Sequence, residues 1–322
     1  MNTMAPSLED ALKLDLEEAA RRIESRIVEI VRGFRRRGCV VAMSGGIDSS
    51  VCAALGVRAI GVDRVFGILL PERESSSAST SRGRLLAEHL GIQYEVQNIA
   101  PALEAIGCYA RRDEAIRKVV PAFTDGWKQK IVISGGTEGL FNYFNLVVQS
   151  PDGNVEQHRI PHEQYLQIVA ATNYKQRIRK CIEYFHADRL NYAVVGTPNR
   201  LEYDQGFFVK NGDGSADLKP IAHLYKSQVY ELARYLRLPE EICSAQPTTD
   251  TYSLAQGQDE FYFSLPYRQM DLALWAYDHQ VPHEQLASAL GVMPDRAAFV
   301  YRDIEAKRRA TVYLACAPVL CD

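Results

Sequence analysis

The chain has 322 residues, 47% of them hydrophobic, and a net charge of −3. That is ample apolar material for a large core, and the near-neutral balance excludes a broad nucleic-acid-binding face. No apolar run approaches the roughly 20 residues that cross a bilayer, and residues 1–10 show no basic segment followed by an apolar one, as a signal peptide would.

Residues 8–34 place apolar side chains at helical spacing among many charges, which predicts an amphipathic helix ending in the basic run 32–37. Residues 39–43 read as the first strand, and a helix covers 49–55 and beyond. A second apolar strand spans 65–70 and stops at Pro71. Residues 72–81 are polar and serine-rich, which predicts a mobile loop. Residues 82–90 read as a helix closed by Gly91 at a C-cap position, and 92–99 alternate as a third strand. Residues 101–164 break this rhythm. Strands at 130–133, 144–148 and 155–160, with a turn at Pro151-Asp152-Gly153-Asn154, predict an inserted β-hairpin segment. A helix over 164–184, a fourth strand over 192–195, a helix over 224–236 and further helices over 266–310 follow. Strand–helix alternation predicts an α/β fold with a doubly wound parallel sheet and ligands at the carboxyl ends of its strands. The expected organisation is an N-terminal helix over 1–38, a main α/β domain over 39–265 and a C-terminal helical segment over 266–322. Seven cysteines are scattered without Cys-x-x-Cys or zinc spacing, which predicts free thiols and a cytoplasmic setting.

The most informative stretch is Val40-Val41-Ala42-Met43-Ser44-Gly45-Gly46-Ile47-Asp48-Ser49-Ser50. An apolar strand runs into a Ser-Gly-Gly turn and then a helix. The glycines let backbone N–H groups approach an anion, the helix N-terminus adds its positive dipole end, and the serines add hydroxyl donors. The Gly-Lys-Ser/Thr ending of a Walker loop is missing. Asp48 would repel a bare phosphate, so its presence points to a magnesium–pyrophosphate pair.

This loop resembles that of the N-type ATP pyrophosphatases, which cleave ATP between the α and β phosphates and adenylate a carbonyl or carboxyl oxygen. Further motifs narrow the resemblance. They are Asn173-Tyr174-Lys175-Gln176-Arg177, Gly196-Thr197-Pro198-Asn199-Arg200-Leu201-Glu202, Gly206-Phe207-Phe208-Val209-Lys210-Asn211-Gly212-Asp213-Gly214, Leu224-Tyr225-Lys226 and Pro247-Thr248-Thr249-Asp250. In order and spacing the series resembles the ammonia-dependent NAD synthetases, over roughly residues 38–310 outside the 101–164 segment. The resemblance implies ATP as cosubstrate with Mg2+, held by Asp48 and Glu202. It implies that Ser44, Gly45, Gly46, Ser49 and Ser50 cradle the pyrophosphate, that Thr197 and Thr248 contact the nucleotide, and that Lys226 binds phosphate. Asn173 and Arg177, which share a helix face at i, i+4, would hold deamido-NAD together with Lys210 and Asp217. Phe207 and Phe208 would flank the pyridine ring, and Asp213 would stand where ammonia arrives. Lys307 and Arg308 would reach the dinucleotide phosphates from the other subunit of a homodimer.

The implied reaction adenylates the nicotinate carboxylate, releases pyrophosphate, and lets ammonia displace AMP to leave the amide. Only about 38 residues precede the first strand, too few for a domain of roughly 100 residues. Free ammonia, or ammonia from a separate glutaminase, is therefore the expected nitrogen source, with no nucleic-acid or membrane partner. Four departures stand out: Val209 where the family has Thr, Ala306 where it has His before Lys307-Arg308, Thr251-Tyr252-Ser253-Leu254 after Asp250 without the family's apolar Leu-Trp, and the 101–164 segment. They motivate an alternative, a related amide ligase acting on another carboxylate. A non-catalytic nucleotide-binding protein is the alternative of another class, and the presence of both Asp48 and Glu202 counts against it.

Overall fold

The computed structural model of the protein describes residues 8, 10–134, 143–246, 252–254, 262 and 265–321. The apolar run before the Ser-Gly-Gly turn forms β1 (Cys39–Ala42). It pairs in parallel with β2 (Val65–Leu69) on one side and β7 (Ala193–Val195) on the other, with Cys39 opposite Val65 and Ala193. β3 (Gln93–Val96) lies outside β2, so the order is β3-β2-β1-β7. The central strands are apolar on both faces because both faces are covered. Cys39 and Val41 face one core, which is closed by α1 (Leu16–Gly33), α2 (Ile47–Ile60) and α8 (Lys226–Tyr235). Val40 faces the other, with Leu103 of α4 (Ala100–Ala105), Tyr109 of α5 (Cys108–Arg117) and Ala187 of α6 (His162–Leu190). The doubly wound parallel sheet expected from the alternation is present.

The first helix starts at Leu16, later than its apolar pattern suggests. The Asp15 carboxylate accepts the Glu18 N–H at 3.0 Å and so sets the helix end there. A larger difference concerns residues 72–81. Ser76 caps α3 (Ser77–Leu90), accepting from the Ala78 N–H at 3.2 Å, so half of the expected loop is helix. Glu72 and Glu74 are locked in place. Lys175 of α6 donates to Glu72 at 2.9 Å and to Glu74 at 2.5 Å. The Tyr109 hydroxyl donates to Glu72 at 2.8 Å, and Arg112 reaches Glu74 at 2.5 Å. The cationic partners lie on α5 and α6, far along the chain, so local polarity reads as a loop.

The 101–164 segment is richer than a hairpin. After α4 and α5 come β4 (Lys128–Ser134), β5 (Tyr143–Gln149) and β6 (Val155–Arg159), an antiparallel sheet in that order. The turn falls at Pro151–Asn154 as its residues require: Gly153 adopts φ +91° and the Ser150 N–H donates to the Asn154 carbonyl. Ile131, Leu146 and Val148 pack on Ile116, Val120 and Ile168 of the neighbouring helical layer. The chain then continues through α7 (Arg200–Gln205) and α9 (Glu240–Cys243) to α10 (Tyr267–Asp278), α11 (His283–Leu290) and α12 (Pro294–Ala315). Met270, Leu274 and Trp275 are buried among these last helices, against Leu201 and Tyr225.

The buried Lys175 joins α6 to the carboxyl end of β2. Lys175→Met would leave two carboxylates without their shared cation and should cost about 3–5 kcal/mol of stability, read by urea unfolding.

Candidate functional site

The loop between β1 and α2 is shaped by what stands behind it. Gly45 holds φ +78°, and a Cβ there would lie 2.1 Å from the Ser79 carbonyl oxygen at the start of α3. Arg82 of α3 donates through Nε to the Gly45 carbonyl at 2.9 Å. The serines mostly serve the turn itself. Ser49 and Ser50 donate to the Gly46 carbonyl at 3.1 and 2.8 Å, and the Ser44 hydroxyl accepts the Gly46 N–H at 3.3 Å. Ser49 and Ser50 are buried and Ser44 is exposed. An anion approaching the loop therefore meets backbone N–H groups and Ser44 first.

Asp48 sits in the first turn of α2 and is ion-paired with Lys226, the first residue of α8. Lys226 is held from behind. The Asp271 carboxylate of α10 accepts its backbone N–H at 3.2 Å and that of Ser227 at 2.7 Å, capping α8 from another helix. Asn199 joins the second acid. Its side-chain amide donates to Asp48 at 3.2 Å. It also forms a capping box at α7, in which the Asn199 N–H donates to Glu202 at 3.1 Å and its Oδ1 accepts from the Glu202 N–H at 3.3 Å. Burial, and then the Asp48 charge, push the Glu202 carboxyl up to about 8, against the pull of Lys226. Burial alone would lower the Lys226 amine, but Asp48 and Glu202 outweigh it and hold it above its ordinary value. Thr197 is half-buried at the tip of β7, two residues before Asn199.

A second group lies on the loop after α7. Phe207 and Phe208 are half-buried and take different partners. Phe207 packs on Tyr262 with ring centroids 4.8 Å apart, and Phe208 stacks on Tyr203 at 6.3 Å. The Gly-Asp-Gly turn is closely packed. A Cβ on Gly214 would lie 2.5 Å from the Phe208 ring, and one on Gly212 would lie 2.9 Å from Gln176 of α6. Asp213 accepts the Val209 N–H at 2.7 Å, and burial pushes its carboxyl up. Arg177 of α6 donates to the Lys210 carbonyl at 3.3 Å, and Lys210 donates to the Tyr313 carbonyl at 2.9 Å. Asn173 lies half-buried one turn before Arg177.

Three expected substrate residues are engaged elsewhere in the chain. Asp217 accepts the Val194 N–H at 2.7 Å and the Tyr184 hydroxyl at 3.3 Å, bracing the sheet edge. Lys307 donates to Asp303 at 2.7 Å and to the Tyr262 carbonyl at 2.5 Å. Arg308 binds Asp204 in a fork at 2.8 and 2.7 Å and also Asp278 at 2.6 Å. Thr248 lies outside the described residues.

Sequence reading assigned no role to Asn199, Arg82 or Asp271. The Asn-x-x-Glu spacing at 199–202 was the available signal for Asn199. Arg82 and Asp271 act across long sequence separations and left none.

With this geometry in place, the comparisons with known proteins are informative. A sequence profile of the NAD synthase family matches residues 19–122 and 142–310. The chain belongs to that family. An NH(3)-dependent NAD(+) synthetase of Rhizobium meliloti is 54% identical over 312 residues, 97% of this chain and 93% of that protein. A protein of the same name from Thermotoga neapolitana is 39% identical over 251 residues, 78% of this chain and 81% of that protein. Among solved structures, an NH3-dependent NAD synthetase from Campylobacter jejuni aligns with a TM-score of 0.63 at 22% identity, covering 96% of this chain and 100% of its own. The NMN synthetase of Francisella tularensis gives 0.65 at 21%, covering 96% and 99%. At that identity the two structures establish the fold alone. The stretch between the two matched parts of the family profile, 123–141, contains β4.

Gly45→Ala tests the loop's closeness to α3. The left-handed backbone and the Ser79 carbonyl together should cost about 1–3 kcal/mol of stability and weaken nucleotide binding, read by urea unfolding and ATP titration.

Proposed function

We propose that the protein amidates deamido-NAD to NAD, using ATP and ammonia and releasing AMP and pyrophosphate. One observation carries the reading. Asp48, Glu202 and Lys226 converge beside a Ser-Gly-Gly loop, in a chain 54% identical over nearly its whole length to an NH(3)-dependent NAD(+) synthetase. A free carboxylate is a poor acyl electrophile. Its oxygen attacks the α-phosphorus, the bond to the β-phosphate oxygen breaks, and pyrophosphate leaves. Ammonia then adds to the acyl-adenylate carbonyl, loses a proton and expels AMP. The Gly45 N–H, those at the start of α2 and the exposed Ser44 hydroxyl are the donors offered to the charge that develops on the departing pyrophosphate. Lys226 has three N–H donors and offers those not taken by Asp48 to phosphate oxygens. Asp213, raised by burial, is the group suited to take a proton from the arriving nitrogen.

The residues present suit Mg2+. Among the described residues there is no cluster of three or more His, Cys, Asp or Glu that could hold a metal alone. Two carboxylates completed by substrate phosphates are the donor set Mg2+ commonly takes, and the disfavour that the Asp48 charge imposes on Glu202 is what a dication relieves. Asp48 and Glu202 would hold it, and it would neutralise phosphate charge there. Thr197 and Thr248 are assigned to the nucleotide. Asn173, Arg177 and Phe208 are assigned to deamido-NAD.

Ammonium chloride should support NAD formation from deamido-NAD, with no turnover on nicotinate alone. Asp48→Asn and Glu202→Gln should each lose on the order of 2–4 kcal/mol of transition-state stabilisation, about 30- to 1000-fold in pyrophosphate release. Pyrophosphate release with some other carboxylate, and none with deamido-NAD, would transfer the reading to the amide-ligase alternative.

Assembly is part of the proposal. Met270, Leu274 and Trp275 pack internally, so they do not supply a dimer face. Leu166 and Phe185 of α6, and Val312 and Tyr313 of α12, are exposed and apolar. A homodimer covering them is expected by sedimentation at micromolar concentration. A fully active monomer would rule it out.

A further inference from the structure

Two glycines in a row leave the peptide between them free to turn, since no Cβ opposes either orientation. In a trans peptide the carbonyl and the N–H point in opposite directions, so the orientation decides which of them an arriving anion meets. Between Gly45 and Gly46 that choice is made from outside the loop. The Gly45 carbonyl is turned toward α3, where Arg82 donates to it through Nε at 2.9 Å. Arg82 is itself held there. Its Nη2 donates at 3.3 Å to the hydroxyl of Ser79, one turn earlier on the same helix. Arg82 thus spends its bonds on a carbonyl and a hydroxyl rather than on a carboxylate, and a charged donor holds a carbonyl more firmly than a neutral one does.

With the carbonyl turned to α3, the Gly46 N–H lies on the other side of the peptide and donates to the Ser44 hydroxyl at 3.3 Å. The Ser49 hydroxyl donates to the Gly46 carbonyl at 3.1 Å and stands 3.2 Å from that of Ser44. The exposed Ser44 oxygen is therefore supplied with donors, and its own hydrogen is the one an anion can draw outward. A flipped peptide would reverse this. It would carry φ of Gly46 from −91° to the positive side, which glycine adopts readily and other residues rarely do. The Gly45 carbonyl oxygen would then stand beside Ser44, take its hydrogen and set a negative dipole end against the anion.

We propose that Arg82 is a positioning residue for the Ser44-Gly45-Gly46 loop: it keeps the Gly45 carbonyl turned to α3, so that the loop presents donors and no acceptor to the pyrophosphate portion of ATP. The inference rests on the reading above, in which this loop receives the pyrophosphate. Arg82 acts through the peptide and touches no substrate.

The test uses the full-length chain and measures the Kd of inorganic pyrophosphate by calorimetry, together with KM for ATP and for deamido-NAD. Arg82→Ala should weaken pyrophosphate binding and raise the KM for ATP about tenfold each, with the KM for deamido-NAD moved less than about twofold. Arg82→Gln should stay within about threefold of the parent, because its amide nitrogen stands as many bonds from the backbone as the arginine Nε and holds a carbonyl without charge. Gly46→Ala disfavours the positive φ that the flip requires, and its Cβ would lie 3.3 Å from the Ser44 hydroxyl, which can shift. In that background Arg82→Ala should cost less than about threefold in pyrophosphate binding. Parental pyrophosphate affinity in Arg82→Ala would overturn the inference. So would Arg82→Gln as weak as Arg82→Ala, which would mean that the guanidinium charge acts on phosphate directly, or an equal Arg82→Ala penalty in both backgrounds. Equal rises in both KM values with a lowered urea midpoint would reduce Arg82 to a support of α3 and overturn it as well. An unmodified chain that binds pyrophosphate but forms no NAD from deamido-NAD would overturn the functional reading and leave this inference to the calorimetry.

Discussion

The Asp48 charge disfavours that of Glu202, and Lys226, the first residue of α8, is the cation that lets both acids stay beside the Ser44-Gly45-Gly46 loop. Removing two carboxylates and an ammonium from water is costly, and the attraction repays it only where hydrogen bonds complete the geometry. Those bonds are present. Asn199 donates its side-chain amide to Asp48 and its backbone N–H to Glu202, so one residue holds both acids. Asp271 holds the end of the helix from which Lys226 projects. The acids come from the first turns of α2 and α7, the helices that follow β1 and β7, and the lysine from α8, which packs with α2 on one face of the sheet. The site is therefore as rigid as the sheet that carries it.

The second constraint is close packing of backbone. Gly45 lies against the Ser79 carbonyl, Gly214 against the Phe208 ring and Gly212 against Gln176. Each is a place where a side chain would push apart two parts of the site. The phosphate loop thus depends on α3, and the Gly-Asp-Gly turn depends on α6. The four-way contact of Glu72 and Glu74 with Lys175 and Arg112 then ties α6 and α5 back to the end of β2. Charge, glycine and apolar packing each fasten a different joint of the same cleft.

Lys307 and Arg308, the cations expected to meet substrate, also fasten the C-terminal helices. The fork from Arg308 to Asp204 joins α12 to α7, the helix that carries Glu202. Lys307 holds Tyr262, and Tyr262 packs on Phe207. In this arrangement α10 and α12 act on the site through α7, α8 and the loop after α7.

Order along the chain was enough to determine the parallel sheet, because apolar strands alternate with helical periods and β1 runs straight into Ser44-Gly45-Gly46. Local chemistry marked Asp48 beside the Ser-Gly-Gly turn, and the resemblance of the later motifs to the family marked Glu202, Lys226 and the Gly-Asp-Gly turn. Local signals also marked the turn at Pro151–Asn154. Partnerships were not legible, because they depend on which distant side chain fills a space. Residues 72–81 read as a loop since their cations lie on α5 and α6. Asp217, Lys307 and Arg308 were marked as ligands by the resemblance, and their partners within the chain appear only on folding. The hold of β4 on Ser253 was invisible for the same reason: pairing between Gln129 and residues more than a hundred positions away leaves no trace in local sequence.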